Sequence, residues 1–468
     1  MNTKISNNII IADPTQFVLT WCKQNLVVTN PVYRQLKVMG KEDTIKYKHI
    51  PETLNLFAVK RSELIVPYGC LYALWKEINK YPYEIDFNNS GDISFKNQEP
   101  TLSLYDYQKQ AVDEMIKAKG GVLVSSCGSG KSICGIEIIR KIGKKALWLC
   151  HTSDLLRQLR DDLLQQYPTA KIGLTTDGKL NIGEDVTIAT VQTMVNVDPE
   201  LYRNEFDIVV VDECAHVVGS PTQMKMFSTV LSNIKARYKF GLTATPTRAD
   251  GLIRAMYAYI GLAQNGLFKP TFKVDDSKVK KIIAEHKRIE LSTGYDSYRL
   301  FDLYDTSGMI VYNKLIDSLS ENEERNEVIL KNIYDNAVLG RKQVVLSLRV
   351  EHCEYLTEEL KKQGIKAVLC VGKTKAKDRE AILKQQIQWD VLVATYSLLK
   401  EGVSIKELDT LHMAMPIKAK GKVVQCAGRI ERYLDGKKQP IIYDYVDTDI
   451  PYCEKSYLQR KRALKRRF

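Results

Sequence analysis

Val122-Leu123-Val124-Ser125-Ser126-Cys127-Gly128-Ser129-Gly130-Lys131-Ser132-Ile133 is the stretch whose reading decides the fold. A short apolar run gives way to a loop of small residues, and a Lys-Ser pair then opens a helix near Ile133. A strand, loop and helix in this order aim backbone N–H groups and a helix N-terminus at one point, which suits a phosphate. Ser126, Cys127, Gly128, Ser129 and Gly130 would form the cradle. Lys131 would neutralise the β- and γ-phosphates, and the Ser132 hydroxyl would ligate magnesium. Ser125 stands at the first position of the Gly-x-x-x-x-Gly-Lys-Ser/Thr pattern, where a small residue still permits the turn.

Downstream, Asp212-Glu213-Cys214-Ala215-His216 follows the all-apolar run Ile208 to Val211. An acidic pair there emerges at the same sheet edge as the phosphate loop, where Asp212 can hold magnesium and Glu213 can polarise an attacking water. His216 either relays between the nucleotide and a second ligand or caps local structure. Strands are expected at Val122–Val124, Ala146–Cys150, Val186–Thr190, Ile208–Val211 and Phe240–Thr243. A second set is expected at Val344–Leu346, Ala367–Cys370, Val391–Ala394, Leu411–Ala414 and Ile441–Tyr443, interleaved with helices such as Glu351–Gln363. Short β-rich runs alternating with amphipathic helices mean parallel sheets covered by helices, so the class is α/β with two tandem parallel-sheet domains.

The length of 468 residues exceeds what one core supports. The expected division is an N-terminal accessory domain at 1–97, ending in the polar stretch Asn88 to Gln98. A first α/β domain at 98–267, a linker at 268–308, a second α/β domain at 309–448 and a basic tail at 449–468 follow. With 44% hydrophobic and 27% charged residues the chain is compositionally globular, and its formal charge of +13 favours polyanionic partners. Ten cysteines from Cys22 to Cys453 show no CxxC pair and no zinc-ligand spacing, which suits reduced thiols. No run reaches membrane-span length and residues 1–30 carry no secretory pattern. No membrane partner and no secretion are expected; the expected location is the cytoplasm, the nucleoid or a viral replication site.

Further along, Gln425-Cys426-Ala427-Gly428-Arg429-Ile430-Glu431-Arg432 reads as Gln-x-x-Gly-Arg-x-x-Arg, with one helix expected to carry Arg429 and Arg432 on neighbouring turns of one face. Either guanidinium could stabilise a transferring phosphoryl group. With the phosphate loop and the Asp-Glu pair, this arrangement resembles the superfamily-two DExH helicases from Leu104 to about Asp447. The run Gly241 to Gly251 brings it nearest to the phage branch-migration helicases and the XPB-like repair group.

The resemblance implies two RecA-like lobes, ATP with Mg2+, and single-stranded and branched duplex DNA as partner, worked on by a monomer alongside replication or recombination proteins. An RNA helicase and an ATP-gated DNA-binding subunit are the alternatives. It implies that Tyr107 and Gln108 read adenine and that Gln425, Arg429 and Arg432 act at the nucleotide, with Arg432 as the finger. Thr152, Thr190, Thr243, Thr245, Ser347, Arg349, Lys373, Arg379 and Thr395 become strand contacts, and Gly402 a close approach to the nucleotide. Lys373 and Arg379 could equally belong to a solvated loop. Ser404 stands where the family usually has an Asp that bonds the ribose. Trp21, Tyr33, Phe57 and Tyr68 are either core or DNA-facing. Arg460 to Arg467 is either a phosphate clamp or a disordered end, and Glu285-His286-Lys287 reads as linker.

Overall fold

The computed structural model describes the chain except residues 45, 177, 218–219, 247–250, 262–265, 280–283, 296–302, 306–309, 397–404, 419 and 466–468, and the side chains of 154, 216, 217, 376 and 420. Two compact units result. One comprises Met1–Ser126 and Gly130–Asp275; the continuous stretch of the other is Asp276–Phe468.

The first unit begins with a small domain. Strands β1 (Asn2–Ile5), β2 (Asn8–Ala12), β5 (Ala58–Lys60), β6 (Glu63–Pro67) and β7 (Tyr83–Ile85) form a sheet in the order β5-β6-β2-β1-β7, beside the ribbon β3 (Val27–Thr29) and β4 (Thr53–Asn55). Alternate residues of β1 and β2 are buried, as expected of a sheet with one covered face. Tyr68 belongs to this core, while Trp21 and Phe57 are partly buried against it.

The large sheet of this unit comprises β8 (Gly120–Val124), β9 (Ala146–Cys150), β10 (Ile172–Thr175), β11 (Val186–Thr190), β12 (Ile208–Val211), β13 (Tyr238–Thr243) and β14 (Phe272–Lys273). All pairs are parallel, in the order β10-β11-β9-β12-β13-β8-β14. Helices cover both faces, so β8, β9, β11 and β12 are buried at every position; β8, β9 and β12 are built of glycine and apolar residues, while β11 carries Thr187, whose buried hydroxyl accepts from Gly183 N at 3.0 Å. In the helix Lys131–Ile142, Gly135 lies so close to the Trp148 ring on β9 that a Cβ would stand 2.4 Å from it.

The polar stretch 88–98 is stitched to this sheet rather than free. Asn88 N donates to Lys235 O at 3.0 Å, Ser90 N to Asp207 Oδ2 at 3.0 Å, and Ser94 N to Asp185 Oδ1 at 2.7 Å. Asp185 and Asp207 precede β11 and β12 and are buried, so they require those donors. Lys239 of β13 makes a further tie. Fully buried, its Nζ donates to Asn7 O at 3.1 Å and Leu231 O at 3.3 Å and lies 5.1 Å from the Tyr68 ring centre. Burial pushes its pKa down to about 7.

The second unit holds β15 (Lys287–Ser292), β16 (Gln343–Ser347), β17 (Ala367–Cys370), β18 (Val391–Thr395), β19 (Thr410–Met413) and β20 (Ile441–Val446), all parallel in the order β15-β20-β19-β16-β18-β17. The stretch 268–308, expected as a linker, therefore supplies β14 to one large sheet and β15 to the other. Its mixed charge hid β15 because that edge strand is only half-buried. Nor is the basic C-terminus a free tail. Pro451–Lys465 is a helix whose Cys453, Ser456, Arg460, Ala463 and Leu464 are buried, and Arg460 Nε donates to Asp444 Oδ1 at 2.8 Å. Arg466 and Arg467 lie outside the described residues.

The core of this unit contains polar groups that satisfy one another. Arg325 donates from Nε to Asp447 Oδ1 at 3.1 Å and from Nη2 to Ala414 O at 2.7 Å. His412 bonds Tyr445 Oη at 2.9 Å and Gln343 Oε1 at 2.8 Å, and it stacks on Tyr443. His352 bonds Ser347 Oγ and Asn326 Oδ1, both at 2.9 Å.

Burial pushes both imidazoles down to about 3, with Arg325 adding to the effect at His352. Neutral in the fold and ordinary when unfolded, they stabilise fully above about pH 6.5 and lose that contribution as pH falls toward 3. Each ring should cost about 1.4 kcal/mol per pH unit within that window. Thermal midpoints should fall from pH 6.5 to 5, and less steeply in His412→Gln; identical slopes in the two proteins would contradict this.

Candidate active site

The parallel order lines up the carboxyl ends of the first large sheet along one edge. From β11 to β8 these ends carry Thr190, then His151-Thr152, then Asp212-Glu213, then Thr243, then the loop Ser125–Gly130. Residues expected to hold a strand stand at β11 and β9. Those expected to hold the nucleotide stand at β12 and β8, with β13 between.

The loop turns through Gly128 and Gly130, whose φ angles of 80° and 75° favour glycine. Gly130 caps the helix Lys131–Ile142. Lys131 is buried; its Nζ lies 3.4 Å from Ser126 O and 3.9 Å from Glu213 Oε1. Ser132 is half-buried on the first turn of this helix.

Asp212 directly follows β12, and its N–H donates to Leu149 O of β9 at 2.9 Å. Glu213 N donates to Asp212 Oδ1 at 2.9 Å, and Glu213 adopts a φ of 44°. A left-handed backbone at a non-glycine residue stores strain, and such strain is common at functional sites. Burial and then the Glu213 carboxylate push the Asp212 carboxyl up, against the pull of Lys131. Glu213 Oε2 is buried without a hydrogen-bond partner among the described residues. Two crowded carboxylates, an unmatched oxygen and a lysine beside a helix N-terminus fit a divalent cation carrying a polyphosphate. Ser132 and Asp212 would hold the magnesium ion, which would supply charge neutralisation to the phosphates.

Gln108 is placed differently from the adenine-reading role expected of it. Its Oε1 accepts from Tyr105 N at 3.0 Å, reaching back to cap the first turn of the helix Asp106–Ala118. Its Nε2 lies against the phosphate loop, where a Cβ at Gly130 would approach it to 2.4 Å. The buried amide thus braces the loop, and the aromatic surface beside it is Tyr105, exposed and stacked on the buried Tyr107.

Thr152 and Thr190 are helix caps: their hydroxyls accept from Leu155 N at 3.4 Å and Thr193 N at 3.1 Å. They leave helix N–H groups at the sheet edge. Thr243 is completely buried, its hydroxyl accepting from half-buried Thr245 N at 3.2 Å, so it touches the loop frame and not a strand. Ser125 N donates to Thr243 O at 3.1 Å, which ties β13 to the phosphate loop. The His216 side chain lies outside the described residues.

In the second unit Ser347, Thr395 and Gly372-Lys373 lie at the carboxyl ends of β16, β18 and β17, which are neighbours. Ser347 is fully buried and bonded to His352, so it is a core hydroxyl and not the expected strand contact. Thr395 ends β18 opposite it. Arg349 Nε pairs with Asp317 Oδ1 at 2.5 Å. Lys373 is exposed, and half-buried Arg379 lies on the helix Ala376–Leu383. Gly402 and Ser404 lie outside the described residues.

Gln425 and Arg429 are half-buried on the helix Lys420–Ile430. That helix ends before Arg432, so the two arginines do not share a helical face as expected. Glu431 explains the ending. Its carbonyl accepts from Ala284 N at 2.7 Å, and its buried carboxylate meets His286 Nδ1 at 2.7 Å. His286, expected as linker, thus holds the residue next to Arg432. The signal for it was absent because its partner is 145 residues away.

Residues 101–248 match the family described as type III restriction enzyme, res subunit, and residues 324–433 the helicase conserved C-terminal domain. A protein of Acanthamoeba polyphaga mimivirus named as an ATP-dependent RNA helicase, L396, is 25% identical, covering 78% of this chain and 68% of its own. The ATP-dependent DNA helicase uvsW of Enterobacteria phage T4 is 24% identical over 82% of this chain and 80% of its own. The DNA 3'-5' translocase XPB2 of Sulfurisphaera tokodaii is 24% identical over 83% and 92%. Among solved structures, the DNA-bound type ISP restriction-modification enzyme LlaBIII matches 84% of this chain and 34% of its own at 15% identity, with a TM-score of 0.56, a likeness of fold. The chain belongs to the superfamily-two helicases, near the phage and XPB-like groups, and is an ATP-hydrolysing enzyme with two tandem RecA-like domains and a small N-terminal sheet domain.

Proposed function

We propose that this helicase acts on DNA, unwinding or branch-migrating forks and four-way junctions during replication, recombination or repair. The observation that carries the reading is the order of groups along the carboxyl edge of the first large sheet, with helix N-termini at β9 and β11 beside the acidic pair and phosphate loop at β12 and β8. The helix N-termini suit a phosphodiester backbone, which positions a strand without reading its sequence. Of the three relatives above, two are named for DNA. One is named for RNA, and backbone contacts of this kind serve either sugar, so an RNA substrate is the second reading.

In the proposed reaction Lys131 and the loop N–H groups hold the triphosphate, Asp212 and Ser132 hold magnesium, and Glu213 takes a proton from the attacking water. Arg432 stabilises charge on the transferring phosphoryl group and Arg429 contacts phosphate. Gln108 keeps Gly130, and with it the helix N-terminus, in place. Thr152, Thr190, Thr245, Thr395, Lys373 and Arg379 are the proposed strand contacts. Among the described residues no helix is long and apolar enough to cross a membrane, and the proposed place of work is wherever cellular or viral DNA is copied.

Lys131→Ala should abolish ATP turnover and strand separation while strand binding persists; retained turnover would remove the loop from the mechanism. Arg432→Ala should lower kcat by about a thousandfold with little change in nucleotide affinity, and equal loss of both would point to misfolding. The substrate is tested by measuring ATPase stimulation and strand separation with matched DNA and RNA forks and four-way junctions. Stimulation by RNA alone would exclude the DNA reading.

A further inference from the structure

A cavity of about 360 Å³ opens between the N-terminal sheet and the first large sheet, lined by Tyr68, Tyr72, Trp75, Phe87, Lys119 and Arg237 together with aliphatic side chains. Lys119 precedes β8 and Arg237 precedes β13. The cavity therefore sits at the amino ends of strands whose carboxyl ends carry the phosphate loop and Thr243. At about 3.3 Å per residue a five-residue strand separates the two ends by roughly 16 Å, so this is not part of the nucleotide site.

Its walls are aromatic and firmly set. Tyr68 and Phe87 meet edge to face at 5.3 Å, and Trp75 meets Tyr83 in the same manner at 5.4 Å. Tyr72 is 45% exposed. Nearby lysines are matched by acids: Lys4 and Lys235 by Asp86, and Lys80 by Glu77. Lys119 and Arg237, both exposed, have no acidic partner among the described residues.

An aromatic lining beside two unmatched cations fits a flat ring bearing a negative charge. An apolar peptide would bring the cations no counter-charge, and the nucleoside triphosphate has its own site at the opposite edge. We propose that this pocket receives one unpaired base of the nucleic-acid strand, stacked on Tyr72 and Trp75, with its neighbouring phosphate held by Lys119 and Arg237. A base paired within a duplex is hidden in the stack, so the site selects unpaired bases such as those at a fork. The proposal rests on the nucleic-acid substrate proposed above.

The test uses the full chain and a fluorescein-labelled oligodeoxythymidylate of about 20 nucleotides, titrated by anisotropy at several salt concentrations. Lys119→Gln with Arg237→Gln should weaken binding about tenfold or more and lower the slope of log affinity against log salt by about 0.7, from the one phosphate no longer neutralised. Tyr72→Ala should weaken it by a similar factor. ATP turnover without nucleic acid and the thermal midpoint should stay as in the parent. Photocrosslinking with 5-iodouracil in the strand should label Tyr72 or Trp75. If the parent binds the strand and both variants bind equally well, or crosslinks fall only elsewhere, the pocket is not a base site. If the parent binds neither DNA nor RNA, the substrate reading itself fails and the pocket proposal falls with it.

Discussion

A parallel strand buried on both faces can offer polar groups to a ligand only at its ends, polar groups within it being satisfied internally as His412 and Asp444 are, and in the two large sheets every strand points the same way. This constraint organises the molecule. It keeps the interiors of β8, β9 and β12 apolar, and it gathers Asp212, Glu213 and the phosphate loop on one edge although some 80 residues separate them in sequence. The close approach of Lys131 to Glu213, and the burial and crowding that raise the Asp212 carboxyl, follow from that gathering.

Groups at the opposite, amino edge are mostly structural. Asp185 and Asp207 accept backbone N–H groups from the connecting segment, and Lys239 reaches carbonyls of the small domain and of the neighbouring helix. Burying such groups is costly unless each finds a partner. Their satisfaction makes the N-terminal domain and the first lobe one body, which is how they group.

The legible parts of the chain were those whose chemistry dictates residue type at short spacing. The loop from Ser125 to Ser132, the Asp212-Glu213 pair after four buried β-branched or aliphatic residues, and the strand cores all announce themselves locally. What stayed hidden depends on distant partners. Gln108 looked free to read a base because nothing nearby in sequence says that Tyr105 and Gly130 claim its amide. Arg460 read as one charge in a basic run, yet Asp444 on β20 makes it a core residue. His286 and Glu431 meet although 145 residues separate them in sequence. The two-residue strand β14 is too short to show any periodicity, and Ser347 and Thr243 could not be recognised as core hydroxyls without knowing what covers them.

The Gly130–Gln108 contact has a kinetic side. A loop that must release one nucleotide and accept another is braced by an amide whose oxygen also caps a helix, so opening the loop and fraying the first turn of Asp106–Ala118 are coupled motions. Exposed Tyr105 stands at that same turn. A contact on its ring would therefore bear on both motions at once, without touching a phosphate.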